Sequence, residues 1–413
     1  MILVPNHRLL LSGNKLLILV LVVLLASCSK RTAPVATAPP KKPDPAKEVP
    51  VKKEEPEKVI SHSVALLLPF NLDKISLEAA DLKDIQKADL AIEFYQGFKL
   101  ALDSLSAEGY NYKLQVFDSQ ESELHIVNLA RARSVLNNDL IVGPIFPESI
   151  KTFSEFADLK SKLQVSPLAA SEPSQFNNPR LVSLTNNIDQ HGWKIADFIN
   201  RSYKADKVNV VLINTGSNDD EKFAAPFKTF LNELSSNGFQ INERPNSIGL
   251  EEYLSDTKTN LVIIASASRD FVLPTIDRLY KISKAGSKIE VFGHPNWVKA
   301  QYLDAEKMQW LNTRITSSYY VDYKSRNVKN FIARYQDEYK SDPSEFAFKG
   351  FDTGYFFGKL LARYGNQYDE HLTEGDYNGL HNDFRFVKDE TSGFLNTELM
   401  ILKYQGFELQ IEK

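Results

Sequence analysis

Short, uninterrupted apolar runs constrain this chain more than any other feature. Val64-Ala65-Leu66-Leu67-Leu68 stops at Pro69, and Leu261-Val262-Ile263-Ile264-Ala265 repeats the pattern far downstream. A strand that is apolar on both faces needs cover on both, which parallel sheets flanked by helices supply. The segments between such runs have helical spacing. Leu90, Phe94, Phe98, Ala101 and Leu105 recur near every four positions, and Gly109 closes the helix. Leu114 to Phe117 reads as the next strand, followed by a helix with Leu124, Val127, Ala130 and Leu136 inward. Then come the strand Leu140 to Pro144, a helix around Ile150 to Ser161 and the strand Leu163 to Ser166.

A second series begins after a break rich in Ser, Pro and Asn. A helix from Asp189 to Tyr203 carries Trp193, Ala196 and Ile199 on one side. The strand Val208 to Ile213, a helix from Glu221 to Leu234, the Leu261 run, a helix to Ile282 and the strand Ile289 to Phe292 follow. Strands spaced by helices of about 10–20 residues imply βαβ units. The region 63–413 exceeds what one core usually supports, so two doubly wound lobes are expected, the two series being candidates for structural copies of one another.

The first 62 residues are different. Arg8 and Lys15 give residues 1–27 a charge of +2, and an apolar run spans Leu16 to Ala26. That run makes about 16 Å of helix, short of a hydrocarbon core of about 30 Å, so it reads as a secretory signal. It ends Leu25-Ala26-Ser27-Cys28, which resembles the lipobox of bacterial lipoproteins. The resemblance implies cleavage before Cys28 and lipidation of its thiol. Cys28 is the only cysteine, so no disulfide forms within the chain. Ser29 follows where an aspartate tends to hold lipoproteins in the inner membrane, which implies the outer membrane, facing the periplasm. Residues 29–62 hold seven prolines and a charge of +3, as expected of a semi-stiff disordered tether. The remainder carries −9, which argues against nucleic acid as a partner.

The stretch from Arg314 to Gly365 carries a family resemblance. A strand Ile315 to Tyr320 precedes a helix ending Phe331 to Tyr339, then Asp342-Pro343, then Phe346 to Thr353 opening another helix. With Val142-Gly143-Pro144, Ser166 to Ser171 and the closing segments Asp383 to Phe386, Gly393 to Asn396 and Met400 to Tyr404, this order resembles type I periplasmic binding proteins. It is especially similar to the branched-chain amino-acid binders. The resemblance implies an α/β fold of two doubly wound parallel-sheet lobes joined by three crossover strands. It implies lobe 1 at 63–184 plus 321–383 and lobe 2 at 185–320 plus 384–413, with crossings near Leu181–Asn187, Ile315–Tyr320 and Asn382–Phe386.

In open parallel sheets, ligands sit at the carboxyl ends of the strands. In the amino-acid binders, loops matching Phe146–Ser149 and Ala169–Ser171 hold the ligand, which makes Ser149, Ala170 and Ser171 candidates. Both serines are also placed as helix caps, a role compatible with ligand contact. Family members often put an aromatic residue before glycine where this chain has Asp219-Asp220. They often put an ammonium-gripping acid where it has Gly293-His294-Pro295-Asn296-Trp297. Asp219 or Asp220 is a candidate for the cation, or both are surface acids at a helix start. Asn296 and Trp297 are candidates for ligand contact, with Trp297 as a stacking platform or a packing residue. Asp189, next but one to His191, is a further candidate, or both open their helix.

No nucleophile elbow, phosphate loop, dinucleotide fingerprint or zinc-protease motif is present, and the seven histidines form no ligand spacing. No enzyme activity, metal or cofactor is expected. Two readings stand. One is a lipid-anchored binder that closes over a small polar solute, amino-acid-like solutes included, and serves a transporter permease or a receptor. The other is an envelope lipoprotein that uses the same fold to contact a protein, as outer-membrane activators of peptidoglycan synthases do.

Overall fold

The structure, a computed structural model, describes residues 61–74, 82–120, 122–234 and 238–412. The signal segment, Cys28 and the tether up to Ile60 lie outside the described residues. The first strand, Ser61–Leu68, begins two residues before the expected boundary, and His62 is buried in it.

Two seven-stranded sheets form. In the first, Ser61–Leu68 lies between Asn111–Asp118 and Leu140–Val142, and Gln164–Ser166 and Leu181–Ser183 continue in parallel. In the second, Val208–Ile213 lies between Ile241–Arg244 and Thr259–Ile264, followed by Ile289–Gly293 and Arg314–Ser317. The first five strands of each sheet in chain order are thus parallel and lie in the same spatial order. Each sheet is finished by two strands from the C-terminal part of the chain.

Alternation explains the continuous apolar runs. Val64, Leu66 and Leu68 pack with Phe94, Phe98 and Phe357 of helices Leu82–Ala107 and Glu345–Tyr364. Ala65 and Leu67 face the other way, onto Ile126 and Phe153 of helices Glu123–Arg131 and Pro147–Phe156. The second sheet repeats this. Val211 and Ile213 face helix Arg269–Lys284, and Val210 and Leu212 face helices Ile188–Ser202 and Asn218–Leu234.

Several expectations are corrected. The Phe386–Asp389 and Gly393–Asn396 strands belong to the first sheet, because Gly393–Asn396 pairs in parallel with Leu181–Ser183. Only Met400–Gln405 and Glu408–Ile411 join the second. The third crossing is therefore at 397–399 rather than at Asn382–Phe386; the other two run between Ser183 and Ile188 and beyond Ser317. Ile241–Arg244 is a strand that the sequence reading lacked; its polar residues suit a sheet edge with little burial. The helix expected around Ile150 to Ser161 starts and ends earlier, at Pro147–Phe156. Leu124 is 72% exposed, since Ile126, Leu129 and Ala130 form the buried stripe instead. Trp193 is also off its helix's buried face, which is Ile195, Ala196 and Ile199; its ring lies 5.8 Å from Phe230.

One buried carboxylate holds the segment beside the second crossing. Asp352 is fully buried and accepts the amides of Leu380, His381 and Asn382 at 2.8, 2.9 and 2.9 Å. The segment then accepts the Tyr320 amide on His381 O and donates from Asn382 Nδ2 to Ser318 O, both at 2.9 Å. Burial pushes the Asp352 carboxyl up to about 7, against the three amides, which favour the anion. A carboxamide has only one acceptor oxygen for three donors. Asp352→Asn is expected to cost about 1–3 kcal/mol, read as a lower urea midpoint; an unchanged midpoint would show that the three amides do not depend on the carboxylate.

Candidate functional site

The carboxyl ends of both sheets face a cleft at the crossings. A cavity of about 370 Å³ opens there. Ala170 and Asn186 line it from the first lobe and its exit, and His191, Asp219, Asp220, Lys222, His294 and Asn296 line it from the second.

Two buried imidazoles define its chemistry. His294 caps the Pro295–Lys299 turn, and its Nδ1 accepts the Asn296 amide at 3.1 Å. His191, in the first turns of helix Ile188–Ser202, sets its Nδ1 2.9 Å from Thr316 Oγ1 on the Arg314–Ser317 strand. Each histidine is 7% exposed, and among the described residues the hydrogen bonds of each ring run through Nδ1 alone. Burial lowers His191 to about 3, helped by the neighbouring His294. Burial also lowers His294 to about 4, although Asp220 and Asp219 pull it upward. Both rings are neutral at pH 7.

The acids beside them are partly engaged. Asp220 Oδ2 accepts the Thr215 hydroxyl at 2.6 Å and the Thr215 amide at 3.3 Å. Asp219 stands in solvent and pairs with Lys222 at 2.9 Å; that bond and the ammonium charge hold its carboxyl below the usual range. Helices Ile188–Ser202 and Asn218–Leu234 both begin at the cavity, adding positive N-terminal ends. The wall thus offers N–H donors and carboxylate acceptors a few residues apart, an arrangement for a small polar molecule rather than for an apolar one. Among the described residues no group of three or more His, Cys, Asp or Glu is arranged to hold a metal ion.

The sequence-derived residues are divided by the fold. Ala170, Asp219 and Asn296 come together on this cavity. Ser149 lines a separate depression with Phe146, Glu148 and Thr152. It lies inside its helix, whose cap position is Phe146, so it is not the expected cap. Ser171 is not a cap either: that position before Pro173–Phe176 is Glu172, which accepts a bond from Asn187 Nδ2 instead. Asp189 is half-buried without a hydrogen-bond partner, and desolvation raises its carboxyl, but it is not on the cavity wall. Trp297 corrects the stacking expectation. It is 1% exposed, donates from Nε1 to Ser266 O at 3.0 Å, and packs in the second lobe's core.

Asp220, His191 and His294 stand in or beside segments that the sequence singled out, whereas Lys222 was not picked out from it. The position of His294 just after a strand was a usable signal. That its ring is held by its own loop, with one nitrogen left over, is decided by the loop's conformation.

No family model matches the sequence, and no curated protein matches it. Solved structures do. A Rhodospirillum rubrum protein assigned as a branched-chain amino acid ABC transporter aligns over 86% of this chain and 100% of its own, with a TM-score of 0.61 and 15% identity. The fold is that of type I periplasmic binding proteins. An ABC transporter substrate-binding protein from Desulfitobacterium hafniense aligns over the same shares, at TM-score 0.54 and 12% identity. Full-length LpoA from Haemophilus influenzae matches at 0.55 and 13% identity, with 86% of this chain covering 59% of LpoA. At these identities the likeness carries the fold alone.

The neutral imidazoles set a pH dependence. Their folded pKa values lie below the unfolded value of about 6.5, so their contribution to stability is present above about 6.5. It is lost as pH falls toward 4 and 3, by up to about 1.4 kcal/mol per pH unit for each ring. Urea unfolding between pH 7 and 4.5 is expected to show a shallower acid decline in His294→Phe than in the parent. Parallel declines would mean that His294 is not held neutral.

Proposed function

We propose that this chain is a lipid-anchored, extracytoplasmic solute-binding protein whose lobes close over a small polar ligand for transport or sensing. The observation that carries the reading is the cavity between the lobes, lined by two carboxylates and by two histidines whose Nε2 atoms make no hydrogen bond among the described residues. A wall that leaves polar groups unused gains most from a ligand that uses them. Asp219, with Asp220 beside it, is proposed to receive a cationic group such as the ammonium of an amino-acid-like ligand. Ala170 and Asn296 contribute backbone and amide contacts. Ser149, Ser171 and Asp189 line no part of this cavity in the present arrangement and are proposed to take part only after lobe closure.

Cys28 is proposed as the lipidated residue, with the tether lifting the lobes from the outer membrane into the periplasm. Among the described residues no helix is long and apolar enough to cross a membrane. A transporter permease or a receptor is the proposed partner.

A second reading has one observation in its favour. The fold is shared with LpoA at a TM-score above one half, so it also occurs outside proteins described as substrate-binding. Under that reading the chain contacts an envelope protein, such as one of the peptidoglycan-synthesis machinery, and the cavity stays empty.

Native mass spectrometry of the protein purified without denaturation separates the two. A small molecule that is lost on unfolding is expected. A thermal-shift panel follows, in which a ligand at 100 times Kd adds about 2.7 kcal/mol. For an ammonium-bearing ligand so identified, Asp219→Asn is expected to weaken binding at least tenfold. A bare mass together with a silent panel would overturn solute binding and favour the protein partner.

A further inference from the structure

Both imidazoles in the cleft are fixed in one tautomer by the group that each Nδ1 faces. A backbone N–H only donates, so His294 Nδ1, which faces the Asn296 amide at 3.1 Å, must be the unprotonated nitrogen. In the neutral ring the proton then sits on Nε2. His191 is fixed from the other side. Thr316 is 1% exposed, and His191 Nδ1, at 2.9 Å, is the only hydrogen-bond partner of its hydroxyl among the described residues. If Nδ1 carried the proton, the hydroxyl hydrogen would be buried without an acceptor, a loss the other tautomer avoids. The hydroxyl therefore donates to Nδ1, and His191 also carries its proton on Nε2. Among the described residues the hydrogen bonds of both rings run through Nδ1 alone, and both residues line the same cavity.

We propose that His191 and His294 form a paired N–H donor site that takes the carboxylate of the cleft's ligand. This rests on the solute-binding reading and names the chemical class that the reading leaves open. Two donors on one wall match the two oxygens of a carboxylate, and charge-assisted hydrogen bonds to it are stronger than neutral ones. The charged groups facing the rings are Asp219, Asp220 and Lys222. Lys222 offsets Asp219, and the N-termini of two long helices offset part of Asp220. Burial keeps both rings neutral, so the donors persist unchanged across the physiological range.

Two measurements test this on the intact protein. Nitrogen-15 NMR of the imidazoles, without any ligand, is expected to show the Nε2–H tautomer for both rings at pH 7. An Nδ1–H tautomer at either ring would overturn the proposal. Calorimetry then compares carboxylates with counterparts that lack the anion: L-leucine with L-leucinol, benzoate with benzamide, succinate with succinamide. At least one carboxylate is expected to bind, with its counterpart at least tenfold weaker. His294→Phe and Thr316→Val are each expected to weaken the carboxylate at least fivefold. Thr316→Val alters the tautomer lock without touching the cavity, so its effect is separable from loss of a wall group. An uncharged probe that binds as tightly as its carboxylate would keep the solute reading and overturn the carboxylate site. Silence from every probe would overturn the site and count against the reading beneath it.

Discussion

Where the chain passes between lobes its backbone leaves both sheets, and the freed amides and carbonyls must find partners in a buried seam. Asn396 supplies most of them. Its Nδ2 donates to Leu184 O and Asp383 O at 3.0 and 3.1 Å, and its Oδ1 accepts the amides of Arg385 and Glu398 at 3.0 and 3.1 Å. Its own carbonyl receives Asn186 Nδ2 and Gln190 Nε2, both at 2.8 Å. One residue, through its side chain and its carbonyl, thus ties the first crossing, the third crossing and the opening of the second lobe's first helix. The position of that helix sets where His191 stands, and so the cleft wall depends on this seam.

The same economy appears on the other side of the hinge. Asp352 organises 380–382, which in turn receives the chain at 318–320. Across the gap, Lys299 of the second lobe meets Glu345 of the first at 2.8 Å, and Tyr319 stacks on His381 with centroids 4.6 Å apart. These contacts are polar and few compared with the apolar cores on either side. Lobes joined this way can change their angle by exchanging hydrogen bonds while each core stays intact. The cleft is the part of the molecule that such a motion would enlarge or close.

The architecture was legible because it rests on period. Residues 64–68 and 261–265 are apolar without a break since both sheet faces are covered, and no other common arrangement asks for that. Local rules failed where burial was set by distant segments. Leu124 and Trp193 have helical spacing with their neighbours, yet Ile126 and Ile195 point at the sheet. Ile241–Arg244 looks like a loop in sequence and becomes a strand only because Val208–Ile213 offers a free edge. The Phe386–Asn396 hairpin reads equally well in either lobe, and its pairing with Leu181–Ser183 decides the matter.

By itself, the sequence determined the type and order of most main elements, the two-lobe plan and the loops at the strand ends, because hydrophobic period and turn residues are local properties. It also placed Ala170, Asp219 and Asn296 on loops that meet. Only the tertiary structure decided which side chains in those loops are free. Trp297 was drawn into the core and Asp220 was taken up by Thr215, whereas His191 and His294 each spend one nitrogen on the protein and keep the other. The partner of a side chain is set by three-dimensional proximity, and Thr316, which fixes His191, lies more than a hundred residues away along the chain.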